Sequence, residues 1–164
     1  MVTYVIPYRS RGKTRLGDAG LAEAMLADVV AACRAADAAD VVLADAPGGQ
    51  GEAVEGALLG RTGPVTIVNG DLPCVTPEEL AQLSAAAPAI VAADDGTTNA
   101  IALRDARHFV PLYGEGSAAR YEEALAARRL ELPGLRDDVD TPDDVDRVRG
   151  RVGSNTRRQL GVRA

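Results

Sequence analysis

Residues 65–92 read VTIVNGDLPCVTPEELAQLSAAAPAIVA and contain a strand, a helix and a second strand in that order. The short apolar run from Val65 to Val68 is typical of a strand that is buried on both faces. The stretch from Pro77 to Ala86 predicts a helix, and Ala89 to Ala92 predicts the next strand. Alternation of this kind is typical of a mostly parallel sheet that is covered by helices.

The same alternation continues on both sides of this segment. Further strands are predicted at residues 2–6, 41–44, 100–103 and 130–132, and further helices at residues 21–34, 52–59, 118–127 and from Pro142 onward. We therefore predict an α/β fold, a single-domain three-layer sandwich with a mostly parallel sheet, over residues 1–150. Residues 151–164 have no periodicity and are predicted to be a C-terminal tail.

Composition excludes several classes of protein. With 164 residues, 46% of them hydrophobic and 26% charged, the chain fits one folded domain and not a disordered one. A net charge of −6 argues against a nucleic-acid partner. No apolar run approaches the length of about 20 residues that a membrane span needs, so we expect a soluble, cytoplasmic protein without membrane contact. Cys33, Cys74 and the single His108 exclude a disulfide framework and Cys- or His-rich metal sites.

Three aspartates at predicted strand ends are candidate Mg²⁺ ligands. Asp71 follows the strand that ends at Val68, and Asp138 and Asp140 point to the same face if the chain between them is extended. The acidic residues that follow have another explanation, because Thr76-Pro77-Glu78-Glu79 and Thr141-Pro142-Asp143-Asp144 are patterns of helix starts. The alternative to a metal site at Asp138 and Asp140 is a charged turn.

A basic loop follows the first predicted strand. It contains Arg9, Arg11, Lys13 and Arg15, and Lys13 is the only lysine among 18 basic residues. Clustered cations in an acidic protein favour contact with a polyphosphate, although a solvated basic loop is the alternative. Gly12-Lys13-Thr14 also approaches a P-loop, but Pro7 stands where that motif requires its first glycine.

Two loops of small residues are candidate anion sites. They are Gly96-Thr97-Thr98-Asn99 and Gly114-Glu115-Gly116-Ser117. Glycines allow backbone amides to approach an anion closely, and the second loop precedes a predicted helix whose N-cap we expect to be Ser117. Either loop taken alone is a weak signal.

In their order along the chain, these segments resemble the guanylyltransferases of coenzyme F420 biosynthesis, which act on 2-phospho-L-lactate or phosphoenolpyruvate. The resemblance spans nearly the whole chain, and the ordered set is more specific than any single motif. The matching stretches are residues 6–16, Gly70-Asp71-Leu72-Pro73, Gly96-Thr97-Thr98-Asn99-Ala100, Gly114-Glu115-Gly116-Ser117 and Asp138-Val139-Asp140-Thr141-Pro142.

The resemblance implies a fold like that of nucleotide-diphospho-sugar transferases and a transfer of GMP from GTP to a small phosphorylated carboxylic acid. It implies that Mg²⁺ is held by Asp71, Asp138 and Asp140, with Asp71 and Lys13 as catalytic residues. It also implies that the carboxylate of the acceptor is received by Thr98, Gly114 and Ser117. The nucleotide phosphates would contact Lys13 and Arg15.

One departure from the family concerns the base. Family members are longer between the second strand and the glycine-rich turn, whereas Ala44 is followed here by only three residues before Gly48. Guanine selectivity is therefore open, as are the acceptor and the oligomeric state, a homodimer included. Two other functions are considered: a P-loop-like nucleotide hydrolase, and a receiver-like signalling domain with Asp71 as phosphoacceptor.

Overall fold

Six strands form one sheet in the computed structural model, which describes residues 1–8 and 16–161. In chain order they are β1 (Val2–Pro7), β2 (Ala38–Ala44), β3 (Val65–Val68), β4 (Ala89–Ala92), β5 (Thr98–Leu103) and β6 (Arg128–Arg129). Their order across the sheet is β2-β1-β3-β5-β4-β6. β5 runs antiparallel to β3 and β4, and the other neighbouring pairs are parallel, so the prediction of a mostly parallel sheet is confirmed.

Helices cover both faces of this sheet. They are α1 (Ala19–Ala35), α2 (Gln50–Leu58), α3 (Pro77–Ala85), α4 (Ser117–Leu125), α5 (Pro133–Arg136), α6 (Pro142–Val148) and α7 (Ser154–Gln159), with a 3₁₀ turn at Ala106–His108. Successive β1 residues point to opposite faces: Tyr4 and Ile6 pack with residues of α1 and α3, and Val5 packs with residues of α2 and α4. This arrangement confirms the three-layer sandwich.

The C-terminal part of the chain contains a helix that the sequence did not predict. Residues 154–159, for which no helix was predicted, form α7, which packs against α1. The buried carboxylate of Asp28 on α1 accepts hydrogen bonds from the backbone amides of Asn155 and Thr156 and from the Asn155 side chain. A Cβ at Gly153 would lie 2.4 Å from Asp28 Cγ, so glycine allows this close approach.

One strand prediction was wrong, and one short helix was not predicted. The last strand is β6 at residues 128–129 and not at 130–132, and the short helix α5 follows it. Both elements are too short for a hydrophobic period to specify them. No helix within the described ranges is long and apolar enough to cross a lipid bilayer.

Candidate active site

A cleft of about 240 Å³ opens at the edge of the sheet where β3 ends and β5 begins. Because β5 is antiparallel to β3, its first residues lie beside the loop that follows β3: Val68 pairs with Ala100, and Asn69 N donates to Asn99 O (3.0 Å). The cleft is lined by Gln50, Asn69, Asp71, Asp95, Thr97, Thr98, Asn99, Tyr113, Gly114, Ser117, Asp138 and Asp140. The reversed direction of β5 thus brings two predicted loops to one site.

Three half-buried carboxylates meet in this cleft. One carboxylate oxygen from each of Asp71, Asp138 and Asp140 lies within 4.8 Å of the other two. The backbone holds them there, since Val139 N donates to the carbonyl oxygen of Asp71 (3.0 Å) and Asp140 N donates to Asp144 Oδ2 (2.9 Å). The sequence prediction that these three residues lie together is therefore in agreement with the geometry.

The electrostatics of this cluster favour a divalent cation. Burial, together with the neighbouring carboxylates of Asp71 and Asp140, raises the pKa of Asp138 to about 7. Three carboxylates at this spacing repel one another unless a proton or a cation compensates them. Their hard oxygen ligands fit Mg²⁺ or Mn²⁺. The cluster can therefore hold a divalent metal ion.

Asp137, next to the cluster in sequence, is a separate ion-pair centre that sequence reasoning missed. Its side chain is only 3% exposed, and it accepts from Arg136 Nε (3.3 Å), Arg147 Nη1 (3.3 Å) and Arg151 Nη2 (2.5 Å). Burial raises the pKa of Asp137, but the hydrogen bonds from Arg151 and Arg136 outweigh burial and hold this pKa below its usual range. These ion pairs tie α5, α6 and the start of the C-terminal segment together beside Asp138.

A pair of buried hydroxyls also lines the cleft. Thr98 Oγ1 and Ser117 Oγ are 2.8 Å apart, and Ala118 N donates to Gly96 O (3.1 Å). Gly114 and Gly116 have φ angles of 116° and 70°, a region that glycine adopts without strain. Ser117 is the first residue of α4, and its N-cap is Gly116, so the N-cap predicted for Ser117 was wrong. Its hydroxyl bonds Thr98 instead.

Three amide side chains in the cleft, those of Gln50, Asn69 and Asn99, had no predicted role. Gln50 Nε2 donates to Asn69 Oδ1 (2.6 Å), and Asn69 Nδ2 donates to Thr98 O (3.2 Å). Asn99 Nδ2 donates to Arg136 O (2.9 Å) and so links β5 to the segment before Asp138. Their positions at strand ends and at a helix start were the only signal in the sequence.

The predicted nucleotide contacts Lys13 and Arg15 lie outside the described residues. Their assignment to the phosphates stays a prediction. Of the other predicted site residues, Asp71, Thr98, Gly114, Ser117, Asp138 and Asp140 all line the one cleft.

Known proteins resemble this chain over most of its length. A Streptomyces coelicolor protein named phosphoenolpyruvate guanylyltransferase is 34% identical over an alignment of 186 positions that covers 87% of each chain. The chain belongs to the phosphoenolpyruvate guanylyltransferase family. Proteins of the same name from Nocardia farcinica and Sphaerobacter thermophilus are 42% and 37% identical, over 57% and 58% of this chain. The chain matches about half of the length of these two relatives (44% and 55%), and no protein-family model matches it.

Solved structures show the same fold. A protein from Desulfovibrio desulfuricans described as a nucleotide-diphospho-sugar transferase superposes with a TM-score of 0.69 at 20% identity, covering 96% of this chain and 90% of that one. A nucleotidyl transferase from Methanothermobacter gives a TM-score of 0.63 at 14% identity, over 92% and 96% of the two chains. A Mycobacterium tuberculosis protein in complex with manganese gives 0.55 at 22% identity, over 90% and 96%. The fold expected from the family resemblance is therefore confirmed.

Proposed function

We propose that this chain transfers GMP from GTP to the phosphate group of phosphoenolpyruvate and releases pyrophosphate, a step of coenzyme F420 biosynthesis; 2-phospho-L-lactate is the other candidate acceptor. One observation carries the proposal: a cluster of three carboxylates and a pair of buried hydroxyls face one cleft in a chain of this family. The carboxylates suit a divalent cation that binds the triphosphate of GTP, and the hydroxyls suit hydrogen bonds to the carboxylate of the acceptor.

The reaction needs little proton chemistry. An oxygen of the acceptor phosphate attacks the α-phosphorus of GTP, a new P–O–P bond forms, and the bond between the α-phosphorus and the bridging oxygen breaks to release pyrophosphate. A phosphomonoester is largely ionised at pH 7, because its second pKa is about 6. No general base is required, which fits a cleft that is not lined by histidine among the described residues.

Mg²⁺ is the cation that we assign to Asp71, Asp138 and Asp140. A divalent cation bound there would neutralise charge on the phosphate oxygens. The manganese complex of the structurally similar Mycobacterium tuberculosis protein supports a divalent ion in this fold. The three carboxylates are held in position by the backbone contacts of Val139 and Asp140, so the chain itself pre-organises the ligand oxygens.

Thr98, Ser117 and Gly114 are assigned to the carboxylate of the acceptor. The two hydroxyls share one hydrogen bond, which uses one of their two hydrogens and leaves the other to donate. A donor fixed in a buried position orients the acceptor at little entropic cost. Lys13 and Arg15 are assigned to the phosphates of GTP on the basis of the family resemblance alone.

Pyrophosphate release with Mg²⁺ tests the proposal. GTP and ATP are each combined with phosphoenolpyruvate, 2-phospho-L-lactate or 3-phosphoglycerate, and we expect the fastest release with GTP and phosphoenolpyruvate. Nucleotide consumption without an acceptor would instead indicate a hydrolase, and stable aspartyl phosphorylation by acetyl phosphate would indicate a receiver. The ATP arm tests base selectivity, which the short segment before Gly48 leaves open.

A further inference from the structure

The outer face of α1 carries few charges for a surface helix. Its 17 residues include only three charged ones, Glu23, Asp28 and Arg34, and Asp28 is buried beneath α7. Between Glu23 and Arg34 this face holds Leu26, Ala27, Val30 and Ala31, of which Leu26 and Val30 are half-buried against the core. A helix face exposed to water normally carries charged and polar residues, so this face is typical of one that another surface covers.

This face borders a groove of about 440 Å³ between α1 and the edge of the sheet. β2 is the terminal strand of the sheet, and its Leu43 lies in the groove with 47% of its surface exposed. Among the described residues, neither Glu23 nor Arg34 forms an ion pair within the chain. Apart from Asn155 of α7, the residues that line the groove between Glu23 and Arg34 are apolar, and these two supply one charge of each sign near its ends.

The side chains that α1 contributes to the groove form a symmetric set. Residues 23 and 34 lie at equal sequence distances from the midpoint between residues 28 and 29. The same is true of residues 26 and 31 and of residues 27 and 30. An antiparallel second α1, related by a two-fold axis through that midpoint, would place each residue opposite its counterpart. The pairs are Glu23 with Arg34, Leu26 with Ala31 and Val30 with Ala27.

We propose that this face is a homodimer interface in which α1 packs antiparallel against α1 of a second copy. Opposite charges meet at both ends of the helix pair, and in the middle each large side chain meets an alanine, which lets the two helices approach closely. A face that complements itself in charge and in volume fits a second copy of this chain better than an unrelated helix. The proposal does not depend on the enzymatic function, since no cleft residue takes part.

Charge reversal tests this arrangement. Sedimentation velocity from about 1 to about 200 µM brackets the weak self-association expected of a small interface. Glu23→Arg and Arg34→Glu each place like charges opposite each other at both ends of the pair. We expect each to weaken the dimer at least about tenfold. Glu55→Arg on α2 changes the net charge as Glu23→Arg does, and it should leave the dimer unchanged.

Mixing the two single variants makes the test specific. In a mixed dimer the two reversed charges face each other at one end of the helix pair, and the native Glu23 and Arg34 face each other at the other end. The mixture should therefore dimerise at least about tenfold more tightly than either variant does alone. The double variant Glu23→Arg with Arg34→Glu should also regain the homodimer. A wild type that is monomeric throughout the range overturns the proposal. A dimer that tolerates both single reversals, or variants that do not recover on mixing, overturns it as well.

Discussion

Asp137 and Asp138 are adjacent, but their carboxyl groups have opposite electrostatic environments. Three arginines surround the Asp137 carboxylate and keep its pKa low, whereas burial and two other carboxylates raise the pKa of Asp138 to about 7. The difference arises because the chain turns between them, directing one side chain into the ion pairs of α5 and α6 and the other into the cleft. Only the second is in a position to hold a cation.

Asp138→Asn tests the role of this residue. Because the amide has nearly the same shape but no charge, we expect turnover to fall about 100-fold or more. The free energy of unfolding of the metal-free protein should stay equal or rise, because repulsion from Asp71 and Asp140 is relieved. Mg²⁺ should raise the Tm of the wild type and not that of the variant.

Asp143→Asn is the matched control for this variant. Asp143 is exposed in the first turn of α6, so turnover and the response of the Tm to Mg²⁺ should both stay near wild type. Wild-type turnover in Asp138→Asn at saturating Mg²⁺ would remove Asp138 from the metal site.

Ser117→Ala separates substrate binding from a structural role. If Ser117 helps to receive the acceptor, the KM for phosphoenolpyruvate should rise about tenfold or more and the KM for GTP should change little. Stability should fall by about 1 kcal/mol, because the buried Thr98 hydroxyl loses its partner. Ser154→Ala, at the equivalent first position of α7, should alter neither KM. A loss of stability in Ser117→Ala without a change in the acceptor KM would contradict the assignment.

At the scale of elements, two helices begin with the same pattern but serve the site differently. Thr76 and Glu79 cap α3, and Thr141 and Asp144 cap α6, each pair through a reciprocal capping box that the sequence predicted. Glu79 also accepts from Gly134 N, while Asp144 also accepts from Asp140 N. The start of α6 is thus connected to a residue of the carboxylate cluster.

Thr141→Ala and Thr76→Ala form a matched pair that tests this connection. Each variant loses one cap and should lose about 1 kcal/mol of stability. Only Thr141→Ala should raise the Mg²⁺ concentration for half-maximal activity, by about tenfold, because the support of Asp140 is loosened. The measurements are thermal unfolding and a Mg²⁺ titration of pyrophosphate release. Equal shifts in both variants would mean that the cap of α6 has no special link to the site.

Local signals explain which elements could be predicted from the sequence. β3 and β4 were predicted to the residue, because each is a mostly apolar run that directly follows a proline and precedes polar residues. The direction of β5 could not be predicted, since an apolar run does not encode the direction of its neighbour. The cleft depends on that direction, and so do the contacts of Asn69 and Asn99. The roles of these amides follow from their partners and not from their own sequence context.

At the scale of the whole molecule, the last helix returns to the first one across the full length of the chain. α7 is polar in sequence and carries one buried residue, Thr156, so no hydrophobic period indicated it. It is held by Asp28, which lies 127 residues before Asn155. Val152, just before α7, completes a core cluster that also contains Cys74 and Val148.

The packing of α7 against α1 should control the reactivity of Cys74. Burial raises the pKa of the Cys74 thiol to about 11 and that of Cys33 to about 12, and the thiolate is the reactive form, so both thiols should react slowly in the native protein. Asp28→Asn weakens three hydrogen bonds to a carboxylate, worth about 2 kcal/mol together. Local opening around α7 should then become about tenfold or more frequent.

We therefore expect Asp28→Asn to speed the reaction of Cys74 with a disulfide reagent about tenfold or more at pH 8, with Cys33 much less affected. Cys33 lies in a different core cluster, between α1 and the sheet, which α7 does not close. Cys74→Ala assigns the fast phase, and Asp146→Asn, which removes an exposed partner of Arg149, should leave both rates unchanged. Equal acceleration of the two thiols would mean that the molecule opens as one unit, and that α7 does not open separately from the rest of the domain.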